Sequence, residues 1–180
     1  NNEVASNPIG YFGATKGLGL DLPCRLTHYT KTNMENYQNS IPFFIELSRI
    51  YRDLLPEKYL DQKNRAELNE NHIPGTPFST ITINRNFRTA VHKDSGDYGG
   101  WAVLSVLEEN KYHGGLFILP KYKIAVDLRH GDYLLCDVHQ YHGNTELYET
   151  DEDILYNDTH PQTFKDNLEV GVLGLNNRFS

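Results

Sequence analysis

The sequence predicts an α+β chain, mainly β, built as a β-helix or jelly roll and buttressed on one face by N-terminal helices. Three observations lead there. Apolar residues recur at helical spacing between residues 33 and 68. Beyond the His-Ile-Pro-Gly-Thr-Pro break at 72–77, the texture changes to short runs rich in β-branched and aromatic residues. Those runs return at roughly ten-residue intervals with Gly, Asn or Asp between them, which suggests a sandwich or barrel rather than a parallel sheet.

Taken in order, residues 1–20 are rich in Gly and Asn and read as an arm or loop, ordered by contact with the body. Residues 25–29 suit a short strand. Ile41, Phe44, Ile45, Leu47, Ser48, Ile50, Tyr51, Leu54 and Leu55 keep a helical period that Pro42 and Pro56 interrupt, so one main helix and a shorter second one are expected over 33–68. The β core spans 78–180, with strands expected at 78–84, 101–107, 115–119, 123–128, 132–137 and 170–175. The acidic stretch 146–170 has little periodicity and reads as a loop inserted before the last strand.

A chain of 180 residues and 20.7 kDa fits one domain with a core of its own. No run approaches the roughly 20 apolar residues of a membrane span, and the first ten residues lack a signal peptide's basic and apolar regions. The expectation is a soluble, intracellular monomer, in the cytoplasm of a bacterial host or the nucleus of a eukaryote. Cys24 and Cys136 are too few and too far apart for a disulfide framework or a structural zinc motif.

The formal charge of −7 looks wrong for a nucleic-acid binder, but its distribution matters more than its total. Residues 146–169 hold eight acidic residues against Lys165, a net of −7, so the rest of the chain has 16 basic and 16 acidic residues. Within that neutral remainder Arg85, Arg88, Lys93, Lys111, Lys121, Lys123 and Arg129 cluster around the motif region, enough for a modest phosphate-contacting face.

His92-Lys93-Asp94 places an imidazole and a carboxylate two residues apart, on one side of a strand, where they can grip one ion. Ferrous oxygenases need such a pair plus a third ligand, leaving the remaining positions for cosubstrate and oxygen. The pair alone is weak evidence; the third ligand must come from a distant strand. His139 and His142 compete, and their odd separation turns them to opposite faces of a regular strand. His142 is preferred because Gly143-Asn144 follows it, a small residue permitting close backbone approach and a turn. His139 suits a hydrogen-bonding or surface role. His28, His72, His113, His130 and His160 lack such partners and read as ordinary polar histidines. Arg178, just after the last strand signal, can bind a carboxylate bidentately, and Ser180 shares its side of the chain.

These residues also carry a family resemblance. The run from Ser79 to Asp97 (Ser-Thr-Ile-Thr-Ile-Asn-Arg-Asn-Phe-Arg-Thr-Ala-Val-His-Lys-Asp-Ser-Gly-Asp), then Gly114-Gly-Leu-Phe-Ile-Leu-Pro, Gly131-Asp-Tyr-Leu-Leu-Cys-Asp, His142-Gly-Asn and Arg178-Phe-Ser, resembles the TET/JBP family of nucleic-acid-modifying dioxygenases. Its compact phage, algal and fungal branch is the nearest in pattern. The resemblance implies a double-stranded β-helix that oxidises the methyl group of 5-methylcytosine or thymine in DNA, with 5-methylcytosine preferred. It also implies a base flipped out of the duplex. By matching motif His92, Asp94 and His142 become the Fe(II) ligands and the catalytic centre. Arg178 and Ser180 become the anchor for 2-oxoglutarate, with ascorbate as the alternative cosubstrate. Asn84, Asn86, Arg88 and Asp97 are expected at the substrate. Tyr98 and Trp101 are either stacking residues or core.

Two rival readings fit the same sequence. One is an oxygenase of a small molecule or a protein side chain, which the acidic pI of 5.6 suits. The other is a catalytically dead β-helix that only binds a partner, which iron content and uncoupled 2-oxoglutarate decarboxylation would distinguish.

Overall fold

A computed structural model describes residues 5–14, 22–85, 88–95, 99–107, 111–159 and 171–176, the last segment by its backbone. Its largest sheet has six strands in the order β2-β1-β3-β11-β4-β8. These are β1 (Ala5–Phe12), β2 (Arg25–Leu26), β3 (Thr80–Arg85), β4 (Ala102–Leu107), β8 (Tyr133–Cys136) and β11 (Gly171–Asn176), all paired antiparallel. A three-stranded sheet, β7 (Ile124–Val126), β6 (Phe117–Leu119) and β9 (Gly143–Asn144), lies across from it. A small ribbon pairs β5 (His113–Gly114) with β10 (Leu147–Tyr148).

Alternation along β3 and β4 divides the molecule into layers. Ile81, Ile83 and Val103 face the helices, where Phe44, Leu47, Tyr51, Ile73 and Phe78 complete one core. Ala102 and Leu104 face the other way and pack with Phe117 of β6, Cys136 of β8 and Val138. The two sheets therefore share a second apolar layer, and the helices cover only the back of the larger one.

Helices α1 (His28–Thr32), α2 (Met34–Leu54) and α3 (Pro56–Glu67) form the cover. Tyr37, Phe44, Leu47, Ser48 and Tyr51 make the buried stripe of α2, which continues through Pro42, whereas Pro56 starts α3 at a first-turn position that needs no N–H. Gln62 fastens α3 to β4: its Oε1 accepts the Tyr51 hydroxyl and the Trp101 N–H, both at 2.9 Å, and its Nε2 donates to the Trp101 carbonyl. Trp101 packs against the helical core.

Two segments differ from the sequence expectation. Within the supposed N-terminal arm, residues 5–12 form β1, which pairs with β3 over Ala5–Gly10 and with β2 at Tyr11 and Phe12. Pro8, which has no N–H for a ladder, falls where β2 does not cover β1. Gly10 adopts φ +97°, and a Cβ there would lie 2.4 Å from the Ser79 carbonyl; its N–H donates to Thr30 Oγ1 at 2.8 Å. Asn7 and Gly10, which read as loop residues, thus serve a strand that presses close on its neighbour.

In the acidic stretch, residues 147–148 form β10 and Asp151–Thr159 form α4. Thr150 and Asp153 cap each other: Asp153 Oδ2 accepts the Thr150 N–H and hydroxyl, and Thr150 Oγ1 accepts the Asp153 N–H. This reciprocal cap, with three acidic residues in the first turn, offsets the weak apolar period. His28 begins α1, so the strand expected at 25–29 ends at Leu26. No described helix is long and apolar enough to cross a membrane.

Candidate metal centre and cavity

The segment containing His92 and Asp94 runs antiparallel to the strand that His142 precedes. His92 and His142 form a bridge, exchanging hydrogen bonds in both directions at 2.8 and 3.0 Å. This bridge extends the three-stranded sheet past β9. Two residues further along, Asn144 is bonded to Thr89: its N–H donates to the Thr89 carbonyl at 3.2 Å and its Oδ1 accepts the Thr89 N–H at 2.6 Å. Between the two links, Ala90 and Val91 stand opposite the single residue Gly143, so the first strand carries a bulge immediately before His92. A Cβ on Gly143 would lie 3.0 Å from the Thr89 carbonyl oxygen and 3.2 Å from the Val91 backbone.

The bulge aims the imidazole. His92 Nδ1 lies 2.9 Å from the Ala90 carbonyl, and His142 Nδ1 lies 2.9 Å from the Gln140 carbonyl. A carbonyl only accepts, so each Nδ1 carries a hydrogen, and in the neutral ring Nε2 then holds the lone pair, the form in which histidine binds metals. His92 Nε2 lies 3.1 Å from Asp94 Oδ1. A cation shared by the two atoms suits this approach when the imidazole is neutral. Ligand atoms of His92, Asp94 and His142 all lie within 4.8 Å of one another, a group able to hold a metal ion. His142 is the buried member, at 6% exposure, with its ring against Phe117 at 5.7 Å between centroids.

The triad borders a cavity of about 240 Å³ between the two sheets. Ala102, Leu104, Val106, Phe117, Leu128 and Val138 form its apolar side; Ser6, Thr82, Asn84, Thr89 and Asn144 bring polar atoms to it. β11 runs between β3 and β4 beneath this space, with Gly174 in register between Thr82 and Leu104.

Of the residues expected to act here, the structure brings together His92, Asp94, His142 and Asn84. Arg88 does not line the cavity; it is exposed and pairs with Glu146 at 3.6 Å. His139 stays out of the cluster, turned to Asp137 Oδ1 at 2.9 Å. The Asp137 carboxyl sits below the usual carboxylate range: partial burial raises it, and hydrogen bonds from Gln140 and His139 more than offset this. Asn86, Asp97, Tyr98, Arg178 and Ser180 lie outside the described residues. Sequence reading missed Ser6, Thr82, Thr89 and Asn144. Thr82 was findable, since it shares the parity of Asn84 on one strand. Ser6 was hidden in the supposed arm.

Fold and site together define a metal-dependent oxygenase framework, two facing sheets with a two-histidine, one-carboxylate group at the edge of the cavity between them. The chain belongs to the Tet_JBP family, the oxygenase domain of the 2OGFeDO superfamily, whose family model matches residues 9–154. Membership in that 2-oxoglutarate and iron superfamily implies Fe(II) and 2-oxoglutarate as cofactor and cosubstrate. The donor set fits: two imidazoles and a carboxylate suit Fe(II) and leave three coordination positions open.

Among similar proteins, thymine dioxygenase JBP1 of Trypanosoma brucei brucei is 37% identical over 143 residues, 79% of this chain and 17% of that protein. The bifunctional helicase and thymine dioxygenase JBP2 of Leishmania tarentolae is 42% identical over 125 residues, 69% of this chain and 11% of that protein. The chain thus spans less than a fifth of these curated relatives. Among solved structures, NgTET1 in complex with 5mC DNA has the same kind of fold, with TM-score 0.59 and 13% identity, over 97% of this chain and 60% of that one.

Proposed function

We propose that this chain is the oxygenase domain of a DNA-base dioxygenase, a double-stranded β-helix that oxidises the C5 methyl group of a pyrimidine. The observation that carries the reading is the convergence of His92, Asp94 and His142 donor atoms within 4.8 Å beside a cavity between the two sheets. The strand orders support the β-helix: β3-β11-β4-β8 on one side, and β7-β6-β9 extended by the His92–His142 bridge on the other.

On this reading His92, Asp94 and His142 hold Fe(II), and Arg178 with Ser180 anchors 2-oxoglutarate, as the family pattern implies. Bound there, iron with 2-oxoglutarate supplies the oxidising power that converts a methyl C–H bond to an alcohol at the expense of O2. The chain's own residues position and exclude. The Ala90 and Gln140 carbonyls hold the two imidazoles with Nε2 forward. Leu104, Phe117 and Val138 keep water from the methyl group, and the Asn84 amide, across the cavity, meets the polar edge of the base. A methyl group inside a duplex is inaccessible to such a cavity, so the nucleotide is turned out of the stack.

The relatives named thymine dioxygenases favour thymine as the base. The motif resemblance that first suggested 5-methylcytosine keeps that base as the second reading, and the fold neighbour bound to 5mC DNA is compatible with it. The bases differ at position 4, a carbonyl acceptor on thymine and an amino donor on cytosine. The test incubates the iron-loaded protein with 2-oxoglutarate and oligonucleotides carrying either base, followed by mass spectrometry of the nucleosides. 5-Hydroxymethyluracil supports thymine and 5-hydroxymethylcytosine supports the second reading. No oxidised base with either cosubstrate, 2-oxoglutarate or ascorbate, overturns the proposal.

A further inference from the structure

The strands that turn His92, Asp94 and His142 inward turn their neighbours outward. Lys93 projects from the opposite face, and so does Tyr141 on the partner strand; Lys93 Nζ lies 4.5 Å from the centre of the Tyr141 ring. Tyr141 is 52% exposed. The neighbouring strand ends at the same place. Ile118 pairs with Gly143, so the chain leaving β6 at Leu119 emerges level with His142. The turn that follows, Pro120–Tyr122 with Lys123 in the left-handed conformation at φ 55°, stands beside the metal-bearing pair. Gln140 joins the two parts: its Oε1 accepts Lys121 Nζ at 3.3 Å and the Tyr122 hydroxyl at 3.4 Å.

Charge singles out this rim. Of the basic residues that cluster around the motifs, Arg88 is paired with Glu146 and Arg129 with Asp127 at 2.7 Å. Lys111 lies over the Tyr156 ring of the acidic helix α4 at 3.5 Å. Lys93, Lys121 and Lys123 are exposed and, among the described residues, none forms an ion pair with a carboxylate. Three ammonium groups without a carboxylate partner among the described residues therefore sit beside the half-exposed rings of Tyr122 and Tyr141, at the end of the sheet where the donor triad lies.

We propose that this rim, Lys93, Lys121, Lys123, Tyr122 and Tyr141, seats the sugar-phosphate backbone of the nucleic acid whose base enters the cavity. The assignment rests on the function proposed above. Ammonium groups take phosphates as point charges, and tyrosine faces take sugars or unstacked bases. Lys93 lies between His92 and Asp94 in the chain, so a phosphate held there is tethered to the strand that bears the donor group.

The test is fluorescence anisotropy of a labelled unmodified duplex over a range of salt concentrations. Lys121→Ala/Lys123→Ala should make the slope of log K against log salt shallower by about two, one for each lost phosphate contact. Lys58→Ala, exposed on α3 behind the larger sheet, should leave the slope in place. Cobalt(II) binding at the triad, followed by its visible spectrum, should match wild type in the double variant and so report an intact fold. An unchanged slope in the double variant overturns the seat, as does displacement of the duplex by poly-glutamate at matched charge, which would assign the rim to an acidic peptide. Lysine-dependent duplex binding without any base oxidation leaves the seat standing and overturns the function. Base oxidation with an unaffected slope does the reverse.

Discussion

Asn144 holds Thr89 by both of its backbone polar groups, accepting its N–H through Oδ1 at 2.6 Å and donating to its carbonyl at 3.2 Å. That double link closes the bulge at Ala90 and Val91, and the Ala90 carbonyl in turn orients His92. Asn144→Ala removes the acceptor and should weaken metal binding about 10- to 100-fold, the usual effect of losing a group that orients a ligand. Asn144→Asp keeps an acceptor in the same place and should recover most of that loss. Cobalt(II) titration reads both variants; equal weakening by the two would mean that the link does not set His92.

Gly143 is the single residue facing the bulge, with the Thr89 carbonyl oxygen 3.0 Å from where a Cβ would stand. Gly143→Ala should push the two strands apart by a few tenths of an ångström. Both histidines ride on those strands, so metal affinity should fall, with thermal stability reduced by about 1–3 kcal/mol for overpacking at a tight contact. Calorimetry with and without cobalt(II) separates the two effects. An unaltered metal affinity would show that the strands tolerate the methyl group.

His142 and His139 offer the direct comparison of two histidines three residues apart. His142→Ala removes a buried member of the donor group and should abolish metal binding and turnover. His139→Ala removes a partly exposed partner of Asp137 and should retain substantial activity. The opposite ranking in a paired metal-binding and turnover measurement would reassign the site.

Asp153 anchors the acidic helix to the ribbon, capping Thr150 and facing His113 Nε2 at 3.1 Å. Hydrogen bonds from the Thr150 hydroxyl and backbone, then the charges of His113 and Lys111, hold its carboxyl below the ordinary range. A carboxyl depressed in the folded state contributes stability above its unfolded pKa, about 3.9, and loses it as pH falls through the folded value. Asp153→Asn should therefore lower thermal stability at neutral pH and narrow its gap to wild type as the solution is acidified below pH 4. A gap that stays constant over that range would remove Asp153 from the pH dependence.

The metal triad was legible in the sequence because its chemistry is local in form. His92 and Asp94 share a face through strand alternation, and Gly143 after His142 signals close backbone approach. Arg88 shows the limit: its place in the motif run points to the substrate, and the run gives no sign of the exposed, long-range pair it makes with Glu146. The same holds for His113, an unremarkable polar residue in sequence whose partner Asp153 lies 40 positions away on α4.

Periodicity determined by itself that helices precede a β core, since the spacing of apolar residues along the chain is what creates an apolar face. The basic residues around the motifs were visible only as an undivided group. Tertiary structure decided which of them, among the described residues, pair with a carboxylate, because an ion pair depends on distances that chain order does not encode. It also decided that residues 5–12 extend the large sheet and bring Ser6 to the cavity. A strand interrupted by Asn7, Pro8 and Gly10 has little propensity of its own, and its hydrogen bonds are completed by β3, 70 to 80 residues further along the chain.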